Sequence, residues 1–331
     1  MTILVTGAAG FICAHTACAL LKRGQRVVGI DNMNDYYDPQ IKRDRLNMIR
    51  SLGGDFTFHE VDFADNAALQ AAMEPYRLDA IVHLGAQPGV RYSIENPHAY
   101  VQSNLVGHLN MLELARHRQV AHMVYASSSS VYGMNRKVPF SVSDRVDHPI
   151  SLYAATKKAD ELMSETYAHL YGLAQTGLRF FTVYGPWGRP DMAVWDFTDR
   201  ILRGEPINVY NNGQMRRDFT HIDDIVAGIL ATLDSPPKAD GSEKPGGSFA
   251  PHSLYNIGNN RPEELGHLIA LIERACGREA ERIMLPMQPG DVIQTYADID
   301  DISRDHGFAP TTSLERGIPA FVEWYRNYRQ I

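Results

Sequence analysis

A glycine turn between an apolar strand and a helix sets the first unit of this chain. The run Ile3-Leu4-Val5 leads directly into Gly7-Ala8-Ala9-Gly10-Phe11-Ile12-Cys13, where a helical pattern opens. A helix N-terminus carries uncovered N–H groups and the positive end of the helix dipole, so it favours an anion. Gly7 permits the tight turn, and Gly10 lets the backbone come close to a pyrophosphate. About twenty residues on, the second β-like run closes as Val28-Gly29-Ile30-Asp31-Asn32. A carboxylate at that strand end accepts from a ribose 2′-hydroxyl and repels a 2′-phosphate, which favours NAD over NADP. The plainer reading of Asp31, a surface residue capping a loop, does not account for that spacing. The third position of the turn is Cys13 where glycine normally allows helix and strand to pack closely. Cysteine is small and often buried, so a slight displacement with NAD binding retained is expected, and a redox-sensing thiol is the alternative.

The β-like runs 3–6, 26–30, 56–61, 80–84, 122–126 and 178–181 alternate with helical stretches such as 15–23 and 103–116. This alternation predicts right-handed βαβ units and an α/β fold, a Rossmann doubly wound parallel sheet with a smaller C-terminal α/β substrate lobe. Two further strand ends face the same site. Asp62-Phe63 is placed to hold the adenine, and Leu84-Gly85-Ala86 would pass under the cofactor on small residues. After 181 the pattern loosens. The helical run 223–233 and the apolar stretch 253–257 read as returns to the first lobe. Segment 236–251, rich in Pro, Gly, Ser and Lys, reads as a mobile surface loop. The expected division is 1–181 for the NAD-binding lobe, with returns near 218–260, and 182–331 mainly for the substrate lobe, with the ligand in the cleft between them.

Bulk properties exclude several classes. A formal net charge of −7 argues against nucleic acid as the main partner, and an anionic substrate would need local arginines. Cys13, Cys18 and Cys276 form no CxxC pair, which points to a reducing, cytoplasmic compartment rather than a disulfide framework or zinc site. The histidines show no HExxH spacing, so no metal is expected. The N-terminus lacks a basic segment before its apolar run, and no stretch of about 18 apolar residues occurs, so neither a signal peptide nor a membrane helix is expected.

Tyr153-Ala154-Ala155-Thr156-Lys157 sets a phenol and an ammonium four residues apart, on one face if helical. Free tyrosine, with a pKa of about 10, is too weakly acidic to act as a base at neutral pH. A lysine charge and a cationic nicotinamide favour the phenolate. The preceding strand ends in Ser127-Ser128-Ser129-Ser130-Val131-Tyr132-Gly133. A hydroxyl there can relay a proton beside Tyr153, or the serines can simply satisfy their own turn.

Taken in order, TGxxGFI, Asp31-Asn32, SSSSVYG, YxxxK and Arg217-Asp218-Phe219-Thr220-His221-Ile222-Asp223-Asp224 closely resemble the extended short-chain dehydrogenase/reductase family. The resemblance covers nearly the whole chain. It implies Ser128, Tyr153 and Lys157 as the catalytic trio, with Ser130 able to share the serine's role. It implies a cofactor cradle of Gly7, Gly10, Phe11, Ile12, Asp31, Asn32, Asp62, Phe63, Leu84, Gly85, Ala86 and Asn104, with Tyr153 and Lys157. Relatives that dehydrate a sugar carry an Asp-Glu pair where this chain has Ser129 and Ser130, which turns the reading away from dehydration. A homodimer joined through helices 103–116 and 151–171 is also implied, although a core-facing stripe would look the same.

Four segments are similar to the subgroup that inverts C4 of UDP-glucuronate. They are Asp35-Tyr36-Tyr37-Asp38-Pro39, Gln87-Pro88-Gly89-Val90-Arg91-Tyr92-Ser93, Gly185-Pro186-Trp187-Gly188-Arg189-Pro190-Asp191-Met192 and Met287-Gln288-Pro289-Gly290-Asp291-Val292. At Thr182 neutral-sugar relatives usually carry Asn. A C6 carboxylate needs a hydroxyl or guanidinium in place of lost water, and Thr182 and Arg189 are the candidates. Arg217, by resemblance, meets the diphosphate of a UDP-sugar, and Asp291 the uridine ribose. Gln288 stands near where neutral-sugar relatives have an arginine. That shifts diphosphate neutralisation to Arg217 and to Arg91, unless Arg91 only pairs with an acid. Arg189 could likewise be a structural ion pair. The aspartates after Arg217 are expected to cap a helix. The competing readings are a UDP-glucose/galactose 4-epimerase, a decarboxylating relative, and a non-catalytic NAD-binding regulator, for which a proton relay has no use.

Overall fold

The computed structural model describes residues 1–331. The first lobe is built from β1 (Thr2–Thr6), α1 (Phe11–Lys22), β2 (Arg26–Asp31), α2 (Pro39–Ser51), β3 (Phe56–Glu60), α3 (Asn66–Met73) and β4 (Ala80–His83). Two single-turn helices, α4 (Tyr92–Glu95) and α5 (Pro97–Tyr100), lead through a π-wound turn, Val101–Val106, into α6 (Gly107–His117). Then come β5 (His122–Ser128), α7 (Leu152–Tyr171) and β6 (Gln175–Phe180). The second half holds β7 (Thr182–Tyr184), α8 (Ala193–Arg203), β8 (Ile207–Tyr210), β9 (Arg216–His221), α9 (Ile222–Leu233), β10 (His252–Ile257), β11 (Pro262–Glu264), α10 (Leu265–Cys276), β12 (Arg282–Leu285), α11 (Asp300–His306) and α12 (Leu314–Arg329).

Seven parallel strands form the main sheet in the order β3-β2-β1-β4-β5-β6-β10, the doubly wound arrangement expected from the alternation. The winding reverses between β1 and β4, where Thr6 pairs with Ile30 on one side and His83 on the other. The chain therefore leaves both strands side by side, which is where a crevice opens in such sheets. Gly7 sits at φ 66°, and a Cβ there would come within 2.8 Å of the Gly85 Cα. Both the handedness and the space require glycine. From the second half of the chain, β10 pairs along β6 and α9 packs on α1.

Several boundaries differ from the sequence expectation for identifiable reasons. α1 starts at Phe11 rather than His15, because Gly10 is already the N-cap. The helix expected from Ser103 begins at Val101 and is π-wound before α6. Segment 236–251 has no regular structure, yet it is held down: the Ser248 hydroxyl donates to Glu165 at 2.9 Å and Leu254 N–H donates to Pro245 O at 2.8 Å. The helix after Arg217 is capped by the His221 ring, not by the aspartates. Asp224 instead accepts from the backbones of Thr311 and Thr312, both at 3.0 Å.

One apolar core lies under α1 and α9 and includes Val5, Ala14, Val82, Ile225 and Ile257. A second joins α8, α10 and α12 through Trp195, Leu268, Ile272, Phe321 and Tyr325. Ala297, Ile299, Ile302 and Phe308 pack in the first core, although they lie late in the chain.

Candidate active site

A cavity of about 930 Å³ opens over the crevice between β1 and β4 and extends to the loops of the second half. Its walls include Gly7, Gly10, Phe11, Ile12, Asp31, Asn32, Phe63, Leu84, Gly85 and Ala86 from the first lobe. They also include Ser128, Ser130, Tyr153, Lys157, Thr182 and Arg189, together with Arg91, Arg217 and Asp291. Residues spread over most of the sequence thus face one space.

The nucleotide end fits an anionic dinucleotide. α1 has neither a side-chain cap nor an acidic residue in its first turn, so its N–H groups and dipole face the cavity uncompensated. Asp31 is buried and accepts from Ala9 N–H at 3.2 Å and Met33 N–H at 2.9 Å, with Lys42 at 3.8 Å. Burial pushes its carboxyl up, against the pull of Lys42 and those N–H groups. Cys13 tolerates the third position because its small side chain is buried beside the turn. Burial, with Asp31 adding to it, raises its thiol to about 12, so it is not a thiolate at neutral pH.

Two expected cofactor residues are placed otherwise. Asp62 is not part of the cavity wall; it accepts from Ala64 N–H at 2.8 Å and from Asn32 Nδ2 at 3.1 Å, and so orients Asn32. Asn104 is buried outside the wall. Its Oδ1 accepts from Gln87 N–H at 2.8 Å, and its Nδ2 donates to Gln87 O at 3.2 Å and Thr156 Oγ1 at 3.0 Å. The π-wound turn thereby staples the segment after β4 to α7. Both N–H groups of the Asn104 amide are used within the protein, while its Oδ1 keeps one lone pair beyond the Gln87 N–H.

The expected catalytic residues are carried by β5 and α7. Ser151 caps α7, its hydroxyl accepting from Ala154 N–H at 3.1 Å, so Tyr153 and Lys157 fall one turn apart in the first half of the helix. The Tyr153 hydroxyl has no protein partner, and its ring meets Tyr100 edge-on at 6.0 Å. The Lys157 ammonium donates to Ala126 O at 2.9 Å and Asp160 at 3.1 Å, leaving one N–H toward the cavity. The Ser128 hydroxyl donates to Ser130 Oγ at 3.1 Å, so the two side chains lie together on the cavity wall.

Behind this centre stands a buried network the sequence reading did not single out. The Glu161 carboxylate accepts from Arg179 at 2.8 and 3.0 Å, Ser127 at 2.7 Å and Lys158 at 3.1 Å. It ties the serine strand, the tyrosine helix and β6 in one register. Two signals could have found it: an acid at i+4 from Lys157, and an arginine inside an otherwise uncharged strand.

At the far end of the cavity two of the three arginines, Arg189 and Arg91, are paired with carboxylates. Arg189 donates through Nε to Asp191 at 3.0 Å and through Nη2 to the same carboxylate, which also accepts from Tyr36 at 3.1 Å. Its Nη1 edge has no protein partner. Arg91 pairs with Asp291 at 3.2 Å and lies 4.6 Å over the Tyr210 ring. Arg217 donates to the carbonyls of Arg216 and Ile293 at 3.0 and 3.1 Å, and burial lowers its pKa despite Asp291 nearby. A desolvated guanidinium of this kind gains most from an anion in the cavity.

An NAD-fitted crevice, a Ser-Tyr-Lys centre and a cationic far end define a nucleotide-sugar enzyme of the short-chain dehydrogenase/reductase type. The chain belongs to the NAD dependent epimerase/dehydratase family, whose model matches residues 3–258. It is 49% identical over 334 residues to UDP-glucuronate 4-epimerase 1 of Arabidopsis thaliana, covering 99% of this chain and 77% of that one. The UDP-glucuronic acid 4-epimerase of Bacillus cereus, solved with UDP-glucuronic acid and NAD, superposes with a TM-score of 0.86 at 31% identity over 99% of this chain and 100% of that one. The UDP-glucose 4-epimerase of Thermotoga maritima, solved with UDP-glucose, does so with 0.87 at 30% identity over 99% and 100%. The fold alone therefore does not choose between an acidic and a neutral sugar.

Proposed function

We propose that this chain inverts C4 of UDP-glucuronate to give UDP-galacturonate through a transient 4-keto sugar. The observation that carries it is the convergence of Ser128, Tyr153 and Lys157 with Thr182 and Arg189 in one cavity. The full-length likeness to UDP-glucuronate 4-epimerases points the same way. Gly7, Gly10, Phe11, Ile12, Asp31, Asn32, Phe63, Leu84, Gly85 and Ala86 hold NAD, with Lys157 on its nicotinamide ribose. When bound, NAD supplies an acceptor and then a donor of hydrogen at C4. Tyr153 takes the proton of the 4-hydroxyl and returns it after the sugar has turned over in the cleft. Lys157 stands one helical turn from Tyr153, and Ser128 with Ser130 hydrogen-bonds the oxygen at C4.

Arg217 meets the diphosphate, with Arg91 once it leaves Asp291, and Asp291 then serves the uridine ribose. Thr182 and the free edge of Arg189 take the C6 carboxylate. A 4-keto hexuronate is a β-keto acid and loses CO₂ when its carboxyl carbon aligns with the carbonyl π system. The same two contacts are what hold it out of line. The neutral-sugar reading has no use for them.

We assign NAD binding to 1–181 with the returns near 218–260, and sugar binding mainly to 182–331. The chain works as a homodimer through α6 and α7, which leave Leu109, Leu162 and Leu170 exposed. No helix is long and apolar enough to cross a membrane. Incubation with UDP-glucuronate, UDP-glucose and UDP-galactose, followed by proton NMR, tests the reading. UDP-galacturonate without released CO₂ supports it; a UDP-pentose product, or turnover of neutral sugars alone, rejects it.

A further inference from the structure

Arg45 is wholly buried in α2 and has no carboxylate within ion-pair distance. Its guanidinium is solvated by protein oxygens instead, and all five N–H donors are used. Nε and Nη2 donate to Trp187 O at 3.0 and 2.7 Å, and Nη2 also to Gly188 O at 2.9 Å. Nη1 donates to Ala9 O at 3.1 Å and to the Tyr37 hydroxyl at 2.8 Å. One side chain thus bridges the glycine turn of the nucleotide cradle and the loop that precedes Arg189. His15, on α1, donates to the next carbonyl of that loop, Pro186 O, at 3.0 Å. Three consecutive carbonyls of the loop are therefore tied to the first lobe. Trp187 sits there at φ 64°, a left-handed conformation that a bulky side chain adopts only when its surroundings impose it.

We propose that Arg45, with His15, is a positioning latch: it fixes the loop carrying Arg189 to the dinucleotide turn, and so sets where the sugar's C6 end stands relative to the cofactor. The latch rests on the C4-epimerase reading for its effect on turnover, but not for its effect on the loop. Arg45→Lys tests it. An ammonium projects three N–H groups from one nitrogen and cannot span both Ala9 and the 187–188 carbonyls. The variant is expected to keep bound NAD and parental affinity for UDP, which does not reach this loop. Its kcat on UDP-glucuronate falls on the order of tenfold or more, and amide hydrogen exchange in segment 185–192 speeds up. His15→Ala, which disturbs the core less, speeds the same segment and lowers kcat by a smaller factor. Parental kcat and parental exchange in both variants would overturn the latch. So would loss of NAD, UDP affinity and turnover together in Arg45→Lys, which marks a merely structural residue. If the parent itself fails to convert UDP-glucuronate, the epimerase reading falls, while the exchange data still decide on the latch.

Discussion

Replacing Glu161 by Gln removes the charge at the centre of the network behind Tyr153 and leaves its shape nearly intact. Glu161 and Arg179 are each about 1% exposed, so little solvent screening applies. Burial alone would raise the Glu161 pKa, but Arg179, Lys158 and the Ser127 hydroxyl outweigh it and bring it from 4.5 to about 2. That shift corresponds to about 3 kcal/mol of stability at neutral pH, near the low end of what removing one partner of a buried pair costs. The sign follows from linkage. A carboxyl depressed in the folded state stabilises fully above its unfolded pKa and loses that contribution as pH falls from about 4.5 towards 2. Glu161→Gln should therefore lose about 3 kcal/mol by urea denaturation at pH 7, or about 4 °C in melting temperature for a chain of this size. The gap from the parent should narrow to about 2 kcal/mol near pH 3.5. A loss under about 1 kcal/mol at pH 7, or a gap that does not narrow in acid, would show that this pair does not hold the serine strand and tyrosine helix together.

Three further outcomes are expected. Gly7→Ala must put a side chain into the left-handed region and within 2.8 Å of the Gly85 Cα. The backbone penalty alone is about 1–2 kcal/mol, and nucleotide extracted from the purified variant should be strongly depleted relative to the parent. The three cysteines are buried, with thiols raised by burial to about 12 for Cys13 and about 11 for Cys18 and Cys276. A thiol reagent at pH 8 should label none of them quickly until denaturant is added; fast labelling of Cys13 in the native protein would revive a redox role. His83 is buried beside Thr6, and its pKa is lowered by burial and by Lys157 from 6.5 to about 3. Its contribution is fully present above about 6.5 and is lost as pH falls, so urea stability should decline between pH 7 and 5, and less steeply in His83→Gln.

The parallel sheet and its glycine turn were legible because strand-helix alternation and the spacing from Gly7 to Asp31 reflect backbone requirements that few other sequences meet. Tyr153 and Lys157 were legible because helical spacing puts them on one face. Partners across the fold were not. Nothing local to Asn104 shows that a π-wound turn aims its amide at Gln87, and nothing local to Arg91 shows Asp291 opposite it. Arg45 looks like one more polar position on an amphipathic helix until the 187–188 loop folds over it. Long-range polar pairing is set by tertiary packing, which periodicity does not encode.

The sharpest test is the fate of hydrogen at C4. UDP-glucuronate carrying deuterium there, turned over in ordinary water, should give UDP-galacturonate with the deuterium still at C4, and unlabelled substrate turned over in heavy water should gain none at that carbon. Washout of the label, or uptake of solvent deuterium at C4, would contradict transfer and return within one closed cavity governed by Tyr153.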